Sequence, residues 1–487
     1  MNKKNTTGFQ SYEAAQAFLY KAIDYEKLIS YQYNASTFNL DRMVKMLEHT
    51  GSPHRTFPSI HITGTKGKGS TSIMISTILE YAGFKTGLFT SPHLVDLRER
   101  IQIHCRKIPE TNFTSILAGL QPYIQHLRNT NPSASPTFFE ILTAICMLYF
   151  KKEQAEIAVL EVGLGGRLDS TNVVIPLVSI ITNIGFDHTA ILGNTLSSIA
   201  HEKAGIIKQG IPVVSAVEDP EALAVIEKTC RERNAELHLL GRDIWIEEVH
   251  CINTEKQLLS HRSQSIPCNP PHPLFPKRGT GKMNRKTGGS VCTIKTGQHT
   301  YTDIFLPLVG THQVKNCALA IAALDILRER GYISVHEEIV RNALAQVSCP
   351  ARIEIIGTNP LIILDYAHTV DSMRFLKKSL IENFTYNKLF LVLGLSQDKD
   401  LDTILTEIVP VSNEVLVTRS KNPRAAEPDD LYQRIERLCG KQSGIFDTIQ
   451  NAVHAAQQMA SKKDLICITG SAYIAGEAMQ ILKTTVL

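Results

Sequence analysis

No run in this sequence approaches the roughly 18 consecutive apolar residues that a membrane span needs. Met1 to Gln10 is polar, with no apolar core of signal-peptide length. Neither a membrane protein nor a secreted one is therefore expected. Paired cysteines are missing too. The ten cysteines are scattered from Cys105 to Cys467 with no C-x-x-C pair and no metal-finger spacing. That excludes a disulfide frame and a structural zinc site, and leaves reduced thiols in a reducing compartment. Cytoplasmic location is the expectation. A large excess of one charge sign is lacking: a net +4 over 487 residues cannot by itself hold the chain on DNA, RNA or an anionic membrane. Against these absences stand 43% hydrophobic and 20% charged residues, a globular balance that excludes disorder or a fibrous repeat as the main state. The length suggests two or three domains of roughly 150 residues each.

Short β-branched runs, Ser59 to Thr63, Lys85 to Thr90, Ile157 to Val162, Val178 to Ile184 and Pro212 to Ser215, alternate with segments of helical spacing. Those segments are Ser70 to Ala82, Phe138 to Lys151 and Leu196 to Ile207. A parallel sheet covered by helices on both faces is the economical architecture. The alternation breaks between Ile252 and Lys295, where five prolines from Pro267 to Pro276 lead into Arg278-Gly279-Thr280-Gly281-Lys282. This reads as a loop or a disordered insertion. Its eight Lys/Arg against the single acid Glu255 make it basic, and a solvated insertion is the preferred reading over a nucleic-acid tether.

After a helical stretch, Gln313 to Arg330, a second series follows: Leu361 to Asp365, Ser372 to Glu382, Leu389 to Leu393, Leu401 to Ile408, Glu414 to Thr418, Leu465 to Thr469 and Ala475 to Leu482. The expected fold class is α/β, a parallel-sheet P-loop ATPase domain over 1–349 carrying the insertion at about 252–295, then a smaller Rossmann-like α/β domain over 350–487. Ligands of open α/β sheets bind beyond the carboxyl ends of the strands, so strand-end motifs of both halves are candidates for one cleft.

The run Ser59 to Thr63 enters Gly64-Thr65-Lys66-Gly67-Lys68-Gly69-Ser70-Thr71, after which the helical pattern begins. Glycines let backbone N–H groups turn inward and the helix N-terminus adds partial positive charge. Lys68 is placed to reach the β/γ-phosphates, and Ser70 or Thr71 the metal side. Triphosphate binding is the consequence. Only Thr65 and Lys66 separate Gly64 from Gly67-Lys68, where the usual P-loop has four residues, and the shorter form resembles the loop of the Mur ligase superfamily.

Three further strand-end segments make the resemblance specific: Thr90-Ser91-Pro92-His93-Leu94, Leu160 to Asn172 with its Gly-Leu-Gly-Gly-Arg-Leu-Asp run, and Ile181 to Thr189 with Asp187-His188. With Ala200-His201-Glu202-Lys203-Ala204-Gly205 downstream, this ordered set resembles the folylpolyglutamate synthase and dihydrofolate synthase family. The resemblance implies ATP as co-substrate and two magnesium sites drawing on Ser91, Glu161, His188 and Lys203, with room for a monovalent cation. Independently, a carboxylate such as Glu161 at a buried strand end must be protonated, paired or metal-bound. Imidazole is an uncommon magnesium ligand, so oxygen groups must supply most of the coordination. Lys203 resembles the position at which family lysines are carbamylated, a reaction that needs the neutral amine. The plain alternatives are a structural His188 and a solvated Glu202 or Lys203.

By the same resemblance Phe138, Phe139, Glu140, Arg167, Leu168, Asp169 and Ser170 line a pterin pocket, although Phe138 and Phe139 also read as helix core. Gly64, Thr65, Gly67, Lys68, Gly69, Ser70, Thr71, Asn316, Arg352 and Asp365 are implied to contact ATP, and His368 and Ser471 the incoming glutamate. Two positions depart from the family: Ala351 and Thr369 stand where glycine and asparagine are usual.

The implied activity joins L-glutamate to dihydropteroate, to a reduced folate or to both. Lys68, Glu161, His188 and Lys203 are its catalytic candidates, a monomer is expected, and the segment from Arg330 to Cys349 is the candidate hinge for domain closure. A Mur-type ligase acting on a cell-wall precursor is the nearest alternative; a non-catalytic nucleotide- or nucleic-acid-binding protein is the alternative of another class.

Overall fold

The computed structural model describes residues 8–28, 38–252, 288–297 and 299–485. The chain divides into two compact units, Met1–Trp245 with Asn316–His336, and Ile246–Lys315 with Glu337–Leu487.

In the first unit β1 (Ser59–Thr63), β2 (Thr86–Phe89), β3 (Ile101–Ile103), β4 (Arg106–Lys107), β5 (Ile157–Glu161), β6 (Val178–Ile181), β7 (Val213–Ser215) and β8 (Leu237–Leu239) form one sheet in the order β4-β3-β2-β5-β1-β6-β7-β8. Every residue of β1 and β5 is buried, as strands covered on both faces must be. The sheet expected to be parallel is mixed. From β2 to β8 the strands run parallel, but β3 and β4 close the edge antiparallel. The turn between them, His104-Cys105, has φ of 52° and 53°. A two-residue hairpin with both central residues left-handed matches the twist of its strands, and without the usual Asn-Gly or Asp-Gly it leaves no signal in the sequence.

Two buried clusters flank this sheet's strands. One packs the helices Tyr12–Leu19, Leu40–His49, Glu110–Thr130 and Phe138–Lys152 with Phe89, Ala158 and Leu160. The other packs Leu196–Ala204 and Pro220–Glu232 with Ile181 and Val213. Each fully buried Leu, Ile or Phe in them contributes about 1.5–3 kcal/mol.

The remaining strands belong to the second unit, save the first two residues of β9. β9 (Ile244–Ile252), β10 (Gly289–Thr296) and β11 (His299–Leu306) make a three-stranded sheet with β10 central. The stretch to Lys295 read as loop therefore ends earlier than expected, because Gly289–Thr296 is strand; 253–287 lie outside the described residues. β12 (Glu354–Thr358), β13 (Leu361–Leu364), β14 (Leu389–Leu393), β15 (Glu414–Val417), β16 (Gly444–Ile445) and β17 (Leu465–Thr469) form a second sheet, ordered β12-β13-β17-β14-β15-β16. It is parallel except for the edge strand β12. Of the segment Arg330 to Cys349, Glu337–Leu344 is helical. Among the described residues no helix is long and apolar enough to cross a membrane.

Candidate active site

The glycine loop lies between β1 and the helix Lys68–Tyr81, at the carboxyl end of a strand central in the sheet. Gly67 caps that helix with φ 85° and no side-chain cap, so the first turn's N–H groups point outward without a side-chain acceptor, the arrangement that attracts anions. The loop is fastened to the segment after β6. Thr182 Oγ1 donates to Lys66 O at 2.5 Å. Thr65 N–H donates to Asn183 O at 2.9 Å and Lys66 N–H to Asn183 Oδ1 at 2.7 Å. Lys66 Nζ pairs with Asp187 Oδ2 at 2.8 Å. A Cβ at Gly64 would run into Thr182 Oγ1 and one at Gly67 into Asn316 Oδ1, so both glycines are needed for close approach as well as for positive φ. Asn316, on the helix Thr311–Glu329, thus meets the loop.

Two lysines converge on one carbonyl. Lys68 Nζ donates to Gly64 O at 3.0 Å and to Thr65 O at 3.4 Å, and Lys203 Nζ to Gly64 O at 2.9 Å. Lys203 is 4% exposed. Burial, then the charges of Lys68 and Lys66, brings its pKa down to about 7, with Asp187 opposing.

Glu161, the last residue of β5, is 3% exposed. Its Oε2 accepts from Ser91 N at 3.0 Å, and a Cβ on Gly69 would sit 3.4 Å from the same oxygen, so the carboxylate faces the start of the phosphate-loop helix. Ser70 and Thr71 are buried there, and the Thr71 hydroxyl has no hydrogen-bond partner among the described residues. His188 has φ 51°, and its N–H donates to Asp187 Oδ1 at 3.0 Å. Asp187 therefore ties His188 to Lys66. Among the described residues no three His, Cys, Asp or Glu side chains group as a metal site. A single buried carboxylate beside a hydroxyl residue and a phosphate loop nevertheless fits magnesium, which takes few protein ligands and completes its shell with phosphate and water.

The loop after β5 is organised by Asp169. Oδ2 accepts from Gly163 N and Leu164 N, both at 3.0 Å. Oδ1 accepts from Thr171 N at 2.9 Å and Thr171 Oγ1 at 2.5 Å, and burial raises the pKa of this carboxyl. Since the Thr171 hydroxyl proton goes to Asp169, His61 Nε2, 2.8 Å away, is the donor to that hydroxyl. Burial drops the His61 pKa to about 3, so it stays neutral. Arg167 grips Glu202 through Nε and Nη2 at 2.8–3.2 Å, fixing the loop to the helix that carries Lys203. Leu168 is half-buried, and Ser170 Oγ lies 2.7 Å from Thr143 Oγ1.

The helix Phe138–Lys152 divides the expected pocket residues. Phe138 is 2% exposed and belongs to the core. Phe139 lies against Gly163, where a Cβ would come within 2.6 Å of its ring. The Glu140 carboxylate is engaged by Arg42 at 2.7–3.1 Å and by Thr137 N at 2.8 Å. That anchoring role was not legible, because Arg42 is 98 residues away.

In the second unit Arg352, Asp365 and His368 gather around Tyr366. The Arg352 guanidinium lies 3.6 Å over the Tyr366 ring. Asp365 Oδ1 and Oδ2 accept from Ala367 N and Ile353 N, and burial raises this carboxyl's pKa against the pull of Arg352. His368 Nδ1 is 2.9 Å from Tyr366 O. Thr369 caps the helix Val370–Asn383 in a capping box with Ser372, a task threonine performs somewhat less strongly than asparagine. Ser471 Oγ accepts from Ile474 N at 3.1 Å, at the start of its own helix.

The family described as Mur ligase middle domain matches residues 62–324, and Mur ligase, glutamate ligase domain, matches residues 351–472. The dihydrofolate synthase/folylpolyglutamate synthase of Bacillus subtilis strain 168 is 31% identical over 445 residues, 91% of this chain and 95% of the relative. The Mycobacterium tuberculosis folylpolyglutamate synthase complexed with ADP matches with a TM-score of 0.82 and 27% identity, over 97% of this chain and 98% of that one. An FPGS–AMPPCP–folate complex matches with a TM-score of 0.77 and 27% identity, over 97% and 100%.

Proposed function

This chain belongs to the dihydrofolate synthase/folylpolyglutamate synthase family of Mur ligases, and we infer that the site above performs ATP-dependent ligation of L-glutamate to folates. The observation that carries the reading is the glycine loop with its uncapped helix start, Lys68 at the Gly64 carbonyl and the buried Glu161 carboxylate facing Gly69.

A carboxylate does not condense with an amine at neutral pH, because its carbon is a poor electrophile and the oxygen that must leave is a poor leaving group. Transfer of the γ-phosphoryl group of ATP to a carboxylate oxygen makes an acyl phosphate and releases ADP. The amine of glutamate then attacks the acyl carbon, the C–O bond to phosphate breaks, and the amine proton passes to solvent. Lys68 and the first-turn N–H groups hold charge on the transferred phosphoryl group, a positioning and electrostatic role. Magnesium, when bound, neutralises the phosphate oxygens, and Ser91 and Glu161 would hold it. His188 and a carbamylated Lys203 would serve a second position; the burial of Lys203 beside a second cation supports the neutral amine that carbamylation requires.

Asn316, Arg352 and Asp365 are assigned to the nucleotide, and Phe139, Arg167, Leu168, Asp169 and Ser170 to the pterin. His368 and Ser471 are assigned to glutamate. The packing of Phe138 and the engagement of Glu140 weigh toward supporting roles for those two. The division at residue 350 into an ATP-binding and a ligase domain is supported by the two family matches, which leave 325–350 between them. Closure about the segment Arg330 to Cys349 would exclude water from the acyl phosphate. Cys146, Cys230, Cys292, Cys439 and Cys467, none of them in a disulfide, support the cytoplasm as compartment. Replacing Lys68 or Glu161 with alanine tests the assignment: glutamate-dependent ADP release disappears while the thermal midpoint is retained, and near-normal turnover in either variant contradicts it.

A further inference from the structure

Arg352 sits on a turn held in an unfavourable shape. Its two neighbours, Ala351 and Ile353, have φ of 53° and 51°, the left-handed region that residues with a Cβ avoid and β-branched residues almost never enter. Both are buried, at 0% and 7% exposure, so neither N–H can turn to water. Each is instead taken by a carboxylate. Ala351 N–H donates to Glu354 Oε2 at 2.8 Å and Ile353 N–H to Asp365 Oδ2 at 3.0 Å. Strain of this kind persists only where the surroundings over-determine it. Between the clamps, the Arg352 guanidinium lies over the Tyr366 ring, its Cζ 3.6 Å from the ring centroid, and makes no ion pair or hydrogen bond among the described residues. A stacked guanidinium keeps the N–H edge of its fork for an anion.

We propose that Glu354 is a positioning residue for the ligation: its carboxylate holds the Ala351 side of the strained turn so that Arg352 presents its fork to the nucleotide phosphates. The proposal rests on the reading of Arg352 as an ATP contact. Glu354 acts here as a backbone acceptor, so an amide oxygen can replace it and a methyl group cannot. Ala351 is the residue whose strain the clamp offsets, so glycine at 351 removes most of the need for it.

The test uses the full chain and measures KM for ATP, kcat and thermal midpoint in Arg352→Ala, Glu354→Ala, Glu354→Gln, Ala351→Gly and the combined variants. Glu354→Ala raises KM for ATP on the order of tenfold to a hundredfold, Glu354→Gln stays close to wild type, and Ala351→Gly recovers most of the Glu354→Ala loss. In the Arg352→Ala background Glu354→Ala adds nothing. If Glu354→Ala lowers only the thermal midpoint, or its effect on KM persists without Arg352, the positioning role is overturned while the reading of Arg352 stands. If Arg352→Ala leaves KM for ATP and kcat unchanged, the reading of Arg352 fails and the positioning role falls with it.

Discussion

Lys68 and Lys203 donate to the same acceptor, the Gly64 carbonyl, at 3.0 and 2.9 Å. One is placed by the helix that the phosphate loop opens and the other arrives from the helix Leu196–Ala204. Lys203 is buried and Lys68 only half-buried, and burial first, then repulsion from the Lys68 ammonium, loosens the proton of Lys203. The loop thus has beside it one amine, Lys203, near its point of neutrality.

Carbamylation of Lys203 follows from that pairing. Protein equilibrated with ¹³C-bicarbonate shows a carbamate carbon resonance that Lys203→Ala lacks, and Lys203→Ala loses activity by roughly a hundredfold or more. Added formate or acetate, entering the space left by the side chain, restores part of it. Wild-type protein without the resonance removes the carbamate.

Gly67→Ala is expected to destroy nucleotide binding. The new Cβ meets Asn316 Oδ1 at a position with φ of 85°, and left-handed strain alone costs about 1–3 kcal/mol. The rise in thermal midpoint that ADP gives the wild type is absent in the variant. An equal rise in both would show that the loop tolerates a side chain.

Glu140 and Arg42 form a mostly buried pair, their side chains 8% and 10% exposed. Removing one partner of such a pair leaves the other charge uncompensated, so Glu140→Ala destabilises by about 3 kcal/mol in urea unfolding. A direct substrate contact would instead raise the KM for folate with little loss of stability.

Glu80 gives the protein a pH dependence unconnected with catalysis. Burial lifts its pKa from 4.5 to about 7, against hydrogen bonds from Cys105 and Ser76. Between these values the folded chain keeps a proton that the unfolded chain has released. This group's contribution is therefore fully present below pH 4.5, shrinks as pH rises to about 7 and is lost above it, by roughly 3 kcal/mol at most. Glu80→Gln removes the slope, and its thermal midpoint gains on the wild type between pH 5 and pH 8. Parallel curves would show that Glu80 is ionised throughout.

Much of this architecture is legible in the sequence where burial is two-sided. Ser59–Thr63, Leu389–Leu393 and Leu465–Thr469 are compact runs rich in β-branched or apolar residues whose expected limits coincide with β1, β14 and β17. The hairpin β3–β4 is not legible, because its turn uses His104 and Cys105 where glycine or asparagine would signal it. Motifs named Lys68, Glu161 and Lys203, but not what fastens them. The partners of Lys66 and Arg167, Asp187 and Glu202, lie 121 and 35 residues away, and only the folded sheet brings them together. Ala351 is visible in the sequence only as a departure from the family's glycine; its left-handed backbone gives the reason glycine is usual there.

The most direct test offers the purified protein dihydropteroate and tetrahydrofolate separately, with ATP, magnesium and glutamate, and reads the products by mass alongside ADP. The account predicts a glutamylated product from at least one of the two, one ADP for each glutamate added, and none with Lys68→Ala. ATP hydrolysis without a glutamylated product, or glutamylation undiminished in Lys68→Ala, would contradict it.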